Sequence, residues 1–211
     1  MGHVRKILQV ALLPALLAPL SAQNSDISLL VNVTRIHWDF GVIRRTETRI
    51  GVQGSYARQL LERRSGRLYL EVPASLFAPP TGEGVRFDSP GIISIARPFS
   101  IVFVTPGVRY HYSVAPRVAL YAAVGGGIAI RQQERITLLP RPDRPNASEL
   151  VGIQKGWKGS PAMDLAGGVA FRITRLLSLR GEFRTFRTTA VAGYGSGRNY
   201  PSLHGGMGFH F

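Results

Sequence analysis

The sequence predicts an all-β protein, an eight-stranded antiparallel up-and-down transmembrane β-barrel. Three observations predict it. Eight stretches alternate apolar and polar or small residues with a period of two. The connections between them alternate short and long. No run of about 20 apolar residues follows the N-terminal segment, so any crossing of a bilayer would be made by strands.

The elements follow in order. Residues 1–22 read as an export signal: a basic start with His3, Arg5 and Lys6, an apolar stretch from Ile7 to Leu20, and Leu20-Ser21-Ala22 before cleavage. Pro14 and Pro19 interrupt that stretch, which is too short to span a membrane. Residues 23–211 then form one barrel domain. Its strands are expected at 27–35, 49–60, 67–76, 102–114, 117–131, 161–174, 177–188 and 202–211.

In 117–131, Val118, Leu120, Ala122, Val124, Gly126, Ile128 and Ile130 share one parity, and Arg117, Ala119, Tyr121, Ala123, Gly125, Gly127, Ala129 and Arg131 the other. Each parity is one face of a strand. In 161–174 the outward set is Met163, Leu165, Gly167, Val169, Phe171 and Ile173. In 102–114 it is Val102, Val104, Pro106, Val108, Tyr110, Tyr112 and Val114. Short turns are expected at 63–66, 115–116 and 175–176, and long polar connections at 36–48, 77–98, 132–160 and 189–201. Closure into a barrel removes the unpaired edges that hydrocarbon would not tolerate. Eight strands leave an interior that side chains fill, which suits the small inward residues of 117–131 and 161–174.

Charged residues make up 18% of the chain, below the roughly 25% usual for soluble domains. The absence of cysteine excludes a disulfide scaffold, a thiolate metal site and a cysteine nucleophile. The formal net charge of +14 is spread over turns, interior and loops without a basic helix or stacking platform, so no nucleic acid is expected as a partner. By parity Glu71, Arg109, Asp164, Arg172, Arg180, Glu182 and Arg184 point inward. Buried charges persist only when paired, so they are expected to form a network with His111, Gln53 and Tyr69, each acid meeting Arg109, Arg180 or Arg184. The network is either a fixed plug or a gate that exchanges partners. Arg35, Arg44, Arg45, Arg86, Arg97, Arg135, Arg141, Arg144, Lys155, Lys158 and Arg198, on the loop side, suit attraction to lipid phosphates.

The chain closes on His204-Gly205-Gly206-Met207-Gly208-Phe209-His210-Phe211. His204, Gly206, Phe209 and Phe211 resemble the C-terminal β-signal of bacterial outer-membrane proteins. With the alternation, this makes residues 27–211 similar to the small eight-stranded outer-membrane barrels of the OmpA, OmpX and OmpW type and to porin-family outer membrane β-barrel domains. The resemblance implies a place in the bacterial outer membrane, with outer-membrane lipids such as lipopolysaccharide and the assembly machinery as partners, and a monomer. It carries no catalytic signature. Fold likeness does not fix function, so two alternatives stand beside a structural or surface role: a narrow channel for small or apolar solutes and a lipid-A-modifying enzyme.

No catalytic residues, cofactor or metal site are expected. His111-Tyr112-Ser113 puts a His and a Ser on one strand face, but next to a short turn, and it lacks the Asn-Ala-Gly that follows such a pair in the lipid-A deacylases of this shape. His37 near Asp39 has no placed nucleophile. Gly125-Gly126-Gly127 precedes no helix and is no phosphate loop. His204 and His210 stand too far apart along one strand to share an ion.

Overall fold

Alternating side chains with one oily face form strands, and strands that must leave no edge unpaired close on themselves. In the computed structural model the chain does this. The structure describes residues 25–40, 43–64, 66–78, 84–89, 92–141, 144–189 and 198–211, with side chains placed in 25–35, 48–64, 66–78, 100–132, 156–189 and 199–211. Residues 1–22, read from the sequence as an export signal, lie outside the described residues.

The strands are β1 (Ser25–Phe40), β2 (Ile43–Arg63), β3 (Gly66–Phe77), β4 (Gly84–Ser89), β5 (Ile92–Val104), β6 (Gly107–Ala115), β7 (Val118–Arg141), β8 (Arg144–Arg172), β9 (Leu177–Thr188) and β10 (Arg198–His210). β5 and β6 are one stave: Ala74 faces Val104 and Glu71 faces Gly107 in a single register across β3. Thr105 and Pro106 separate the two labels because the backbone leaves regular geometry there. β4 makes a hairpin on β5 beyond the barrel wall. Eight antiparallel staves therefore close the cylinder, with β1 paired to both β2 and β10. Ser25 and Phe211 lock the closing seam by exchanging backbone hydrogen bonds of 2.9 and 3.0 Å.

The staves are tilted. A walk along the register from Asp26 passes Ala57, Glu71, Gly107, Gly125, Asp164, Phe186 and Tyr200. It returns to β1 two positions beyond Thr34, the partner of Ser202. One turn thus climbs about ten residues, the stagger of a narrow barrel with strongly inclined strands.

Three short connections match the expected turns. At the β8–β9 turn the Thr174 hydroxyl accepts from the backbone N–H groups of Leu176 and Leu177, at 3.2 and 3.0 Å. The long connections are corrected. β1 and β2 stay paired out to Phe40 and Ile43, and β7 and β8 out to Arg141 and Arg144. Among the described residues, the segments 36–48, 77–98 and 132–160 read as polar loops are strand almost throughout. A two-stranded ribbon beyond the barrel wall needs only its backbone ladder and no oily face, so pairing can continue where the period-two signal is lost.

Candidate functional site

The interior divides by register into two layers. Toward the short turns lies a chain of ions. Arg180 Nη2 and Arg109 Nη2 both donate to Asp26 Oδ2, at 2.6 and 2.5 Å. Arg109 Nη1 continues to Glu71 Oε1 at 2.9 Å. Glu71 Oε2 then lies 3.4 Å from Arg184 Nη2. Arg184 gathers two further carboxylates, Glu182 Oε1 at 2.6 Å through Nε and Asp164 Oδ2 at 2.5 Å through Nη1. All seven side chains are buried.

Arg109 also sits over the Tyr69 and Tyr121 rings, 5.2 and 5.8 Å from their centroids. His111 is wedged between those same rings at 5.0 Å from each. Tyr121 has room because Gly168 faces it: a Cβ at that position would strike the phenol.

Toward the long hairpins the interior turns apolar. Phe77, Phe103, Phe186 and Tyr200 are each fully buried and pack with Ile101, Ala129 and Ala162. Phe103 stacks on Phe186 at 4.4 Å and meets Phe77 and Tyr200 edge-on at 5.6 and 5.3 Å. Beyond this layer Arg131 donates to Thr188 Oγ1 at 2.8 Å and covers the Tyr200 ring.

Six of the seven inward charges named from the sequence thus meet in one network. Arg172 does not. Its parity is inward, but it ends β8 beside the turn and is exposed at the barrel mouth. Parity sets the face of a residue and not its depth. Gln53 is also outside the network: it accepts from Ser75 at 2.8 Å. Asp26 was missed because the first strand was started one residue late, although the inward parity of Ser28, Leu30, Asn32 and Thr34 extends straight to it. The aromatic layer was missed because Phe77 and Tyr200 fell in stretches read as connections.

The C-terminal residues divide by face. Leu203, Met207 and Phe209 are exposed outward. His204 is buried, its Nε2 2.7 Å from Ser202 Oγ, which itself donates to the Arg184 carbonyl at 2.9 Å. The His111–Ser113 pair does not converge, since Ser113 is exposed at the rim and His111 is stacked inside. His210 Nε2 lies 2.9 Å from Ser178 Oγ. Among the described residues no cluster of three or more His, Cys, Asp or Glu could hold a metal. Of the loop-side cations, Arg35 and Lys158 are exposed; the side chains of Arg44, Arg45, Arg86, Arg97, Arg135, Arg141, Arg144, Lys155 and Arg198, and those of His37 and Asp39, lie outside the described residues.

No protein-family model matches the chain, and no curated protein matches it in sequence. Among solved structures it is similar to Neisserial surface protein A, with a TM-score of 0.52 and 10% identity over 90% of this chain and 100% of that one. It is also similar to Ail, the attachment invasion locus protein of Yersinia pestis, with a TM-score of 0.48 and 9% identity over 90% of this chain and 99% of the other. At 10% identity the likeness to Neisserial surface protein A is one of fold alone, and it agrees with the closed eight-stranded barrel described above.

Proposed function

We propose that the chain is an integral barrel of the bacterial outer membrane, non-enzymatic, whose filled interior makes it a structural and surface-presenting element rather than a pore. One observation carries this reading: the outside of every stave is apolar. Leu29, Ile50, Leu76, Val108, Val124, Leu165, Leu179 and Leu203, one from each stave, are between 41% and 66% exposed. A water-soluble protein rarely exposes an apolar patch of more than a few hundred Å². Here the patch circles the molecule while the charges sit within, the reverse of a soluble barrel.

Tyr110, Tyr112, Phe171 and Phe209 add exposed aromatics near the short-turn end, where an interfacial girdle belongs. In this reading the short turns face the periplasm, the long hairpins reach outward, and Phe209 and Phe211 offer the terminal strand to the assembly machinery. Lipids of both leaflets are the partners of the belt.

Membrane fractionation combined with unboiled gel electrophoresis tests this. The expected result is recovery in the outer-membrane fraction and a band whose mobility changes on boiling. A chain that stays monodisperse in buffer without detergent overturns it. In planar bilayers the filled lumen is expected to give no discrete openings; regular openings would favour the narrow-channel reading.

A further inference from the structure

One stretch of the outward face breaks the rule that the belt follows elsewhere. Among the described residues of the short-turn half, outward strand positions hold apolar, aromatic or small side chains; β2 alone carries arginines there. Arg58 follows Ile50, Val52, Gly54 and Tyr56 on the oily parity and stands opposite Leu70. Past it the alternation slips. Leu60 and Leu61 are consecutive yet 56% and 49% exposed, because the register shifts between Gln59 and Leu61. The extra residue sets Leu61 opposite Leu68 and Arg63 opposite Gly66, and so carries the outward face to the hairpin tip. Without it Arg63 would share the parity of Gln53, Ser55 and Ala57 and turn toward the lumen mouth.

The same shift sorts the charges. Between Arg58 and Leu70 the one acid is Glu62, and it lies on the other face, 2.8 Å from Arg67 and bonded by Gln59. Arg58, Arg63 and Arg64 are exposed and meet no acid among the described residues.

The neighbouring stave adds a polar group. Leu68 faces Tyr110 and Gly66 faces Tyr112 on β6. A Cβ on Gly66 would strike the Tyr110 hydroxyl, so the missing side chain lets that phenol lie over the residue opposite Arg63. The hydroxyl has no hydrogen-bond partner among the described residues.

Cations without acids on an oily face call for an anion that brings its own apolar part. A guanidinium at a lipid-facing position is costly unless it reaches polar groups at the interface. A phosphodiester offers two acceptors to its fork of N–H donors. A soluble anion would leave Leu60 and Leu61 bare, whereas an acyl chain covers them. Leu70 and Gly66, which mark the levels of Arg58 and Arg63, are four steps apart, about 13 Å. Two long side chains reaching from those levels can close on one headgroup.

We propose that Arg58, Arg63 and the Tyr110 hydroxyl, above Leu61, Leu68 and Leu70, form a docking site for an anionic phospholipid, phosphatidylglycerol being the probe. The site rests on the outer-membrane reading above, in which this end of the barrel stands in the periplasmic leaflet. Arg64, Arg117 and Arg175, exposed in the turns of the same rim, strengthen the field that draws an anionic headgroup.

The test refolds the chain into neutral detergent micelles doped with phosphatidylglycerol or, at equal mole fraction, with phosphatidylcholine. It follows the temperature at which the compact unboiled band is lost. Phosphatidylglycerol is expected to raise the wild-type midpoint by on the order of 5 °C over phosphatidylcholine, as for a ligand of the folded state. Arg58→Gln combined with Arg63→Gln should lose most of that shift, and each alone part of it. Tyr110→Phe should lose part, and Arg187→Gln, at an exposed outward arginine of the other half, none. Equal wild-type midpoints in the two lipids overturn the site. So does a shift that survives in the double variant, which would put the lipid elsewhere. A shift that inorganic phosphate reproduces in phosphatidylcholine micelles also overturns it, since the ligand is then a free anion. A compact band without lipid preference sinks this site alone; no compact band in either lipid sinks the membrane reading with it.

Discussion

The two layers of the lumen do the same job by opposite physics. The short-turn half is filled by seven acidic and basic side chains linked in one chain; the long-hairpin half is filled by four aromatic rings and small apolar residues. An aromatic layer loses stability in proportion to the volume removed, because each ring acts only on its contacts. An ionic layer fails collectively, since removing one partner leaves the others buried and uncompensated. The difference teaches that position in the chain of charges, more than the size of a side chain, sets the consequence of a substitution.

The sharpest way to break that contrast is Arg184→Leu. It strands Glu182 and Asp164 and leaves Glu71 with Arg109 alone, and the expected loss is about 3–5 kcal/mol, measured as the urea midpoint of the unboiled band. A midpoint unchanged from wild type would mean that the network carries no stability. Phe103→Ala, in the other half, should cost about 3 kcal/mol by the same measurement, with the ion chain intact. Combined with a substitution at Glu182 it should be close to additive, as expected of layers that share no partners; strong coupling would merge the two layers into one unit. Gly168→Val is a smaller perturbation at the mouth. It drives a side chain into the Tyr121 phenol and should cost about 1–3 kcal/mol, visible as a lower midpoint and altered tyrosine fluorescence.

The smallest effect belongs outside the lumen. Glu62, at the β2–β3 turn, is bonded by Gln59 at 3.2 Å and Arg67 at 2.8 Å. The Gln59 hydrogen bond first, and then Arg67, hold its carboxyl below the usual carboxylate range. A lowered value in the folded state gives stability that is present above the unfolded value and lost as pH falls through the folded one. The group is exposed and screened, so Glu62→Gln should leave the midpoint nearly unchanged at neutral pH. A large loss there would place ionic stability at the surface and contradict the contrast between the layers.

Parity in the chain was enough to find the staves and their faces, because a strand has only two sides and lipid or lumen selects between them. Thus Glu71, Arg109, Asp164, Arg180, Glu182 and Arg184 were legible as interior. Depth was not. Arg172 and Asp26 both lie near strand ends, where one residue of register separates the mouth from the core. Phe77 and Tyr200 looked like loop residues because the ladder outlasts the alternation that announces it.

What the sequence determined by itself was the alternation, hence an oily outside and a crowded inside, and the number of staves that carry it. Which acid meets which arginine was decided only by closure. Arg180 reaches Asp26 from 154 residues away and Arg184 reaches Glu71 from 113, across a cylinder whose stagger fixes who stands at the same height. Local pattern encodes a face; only the register of all eight strands, summed around the ring, encodes a neighbour.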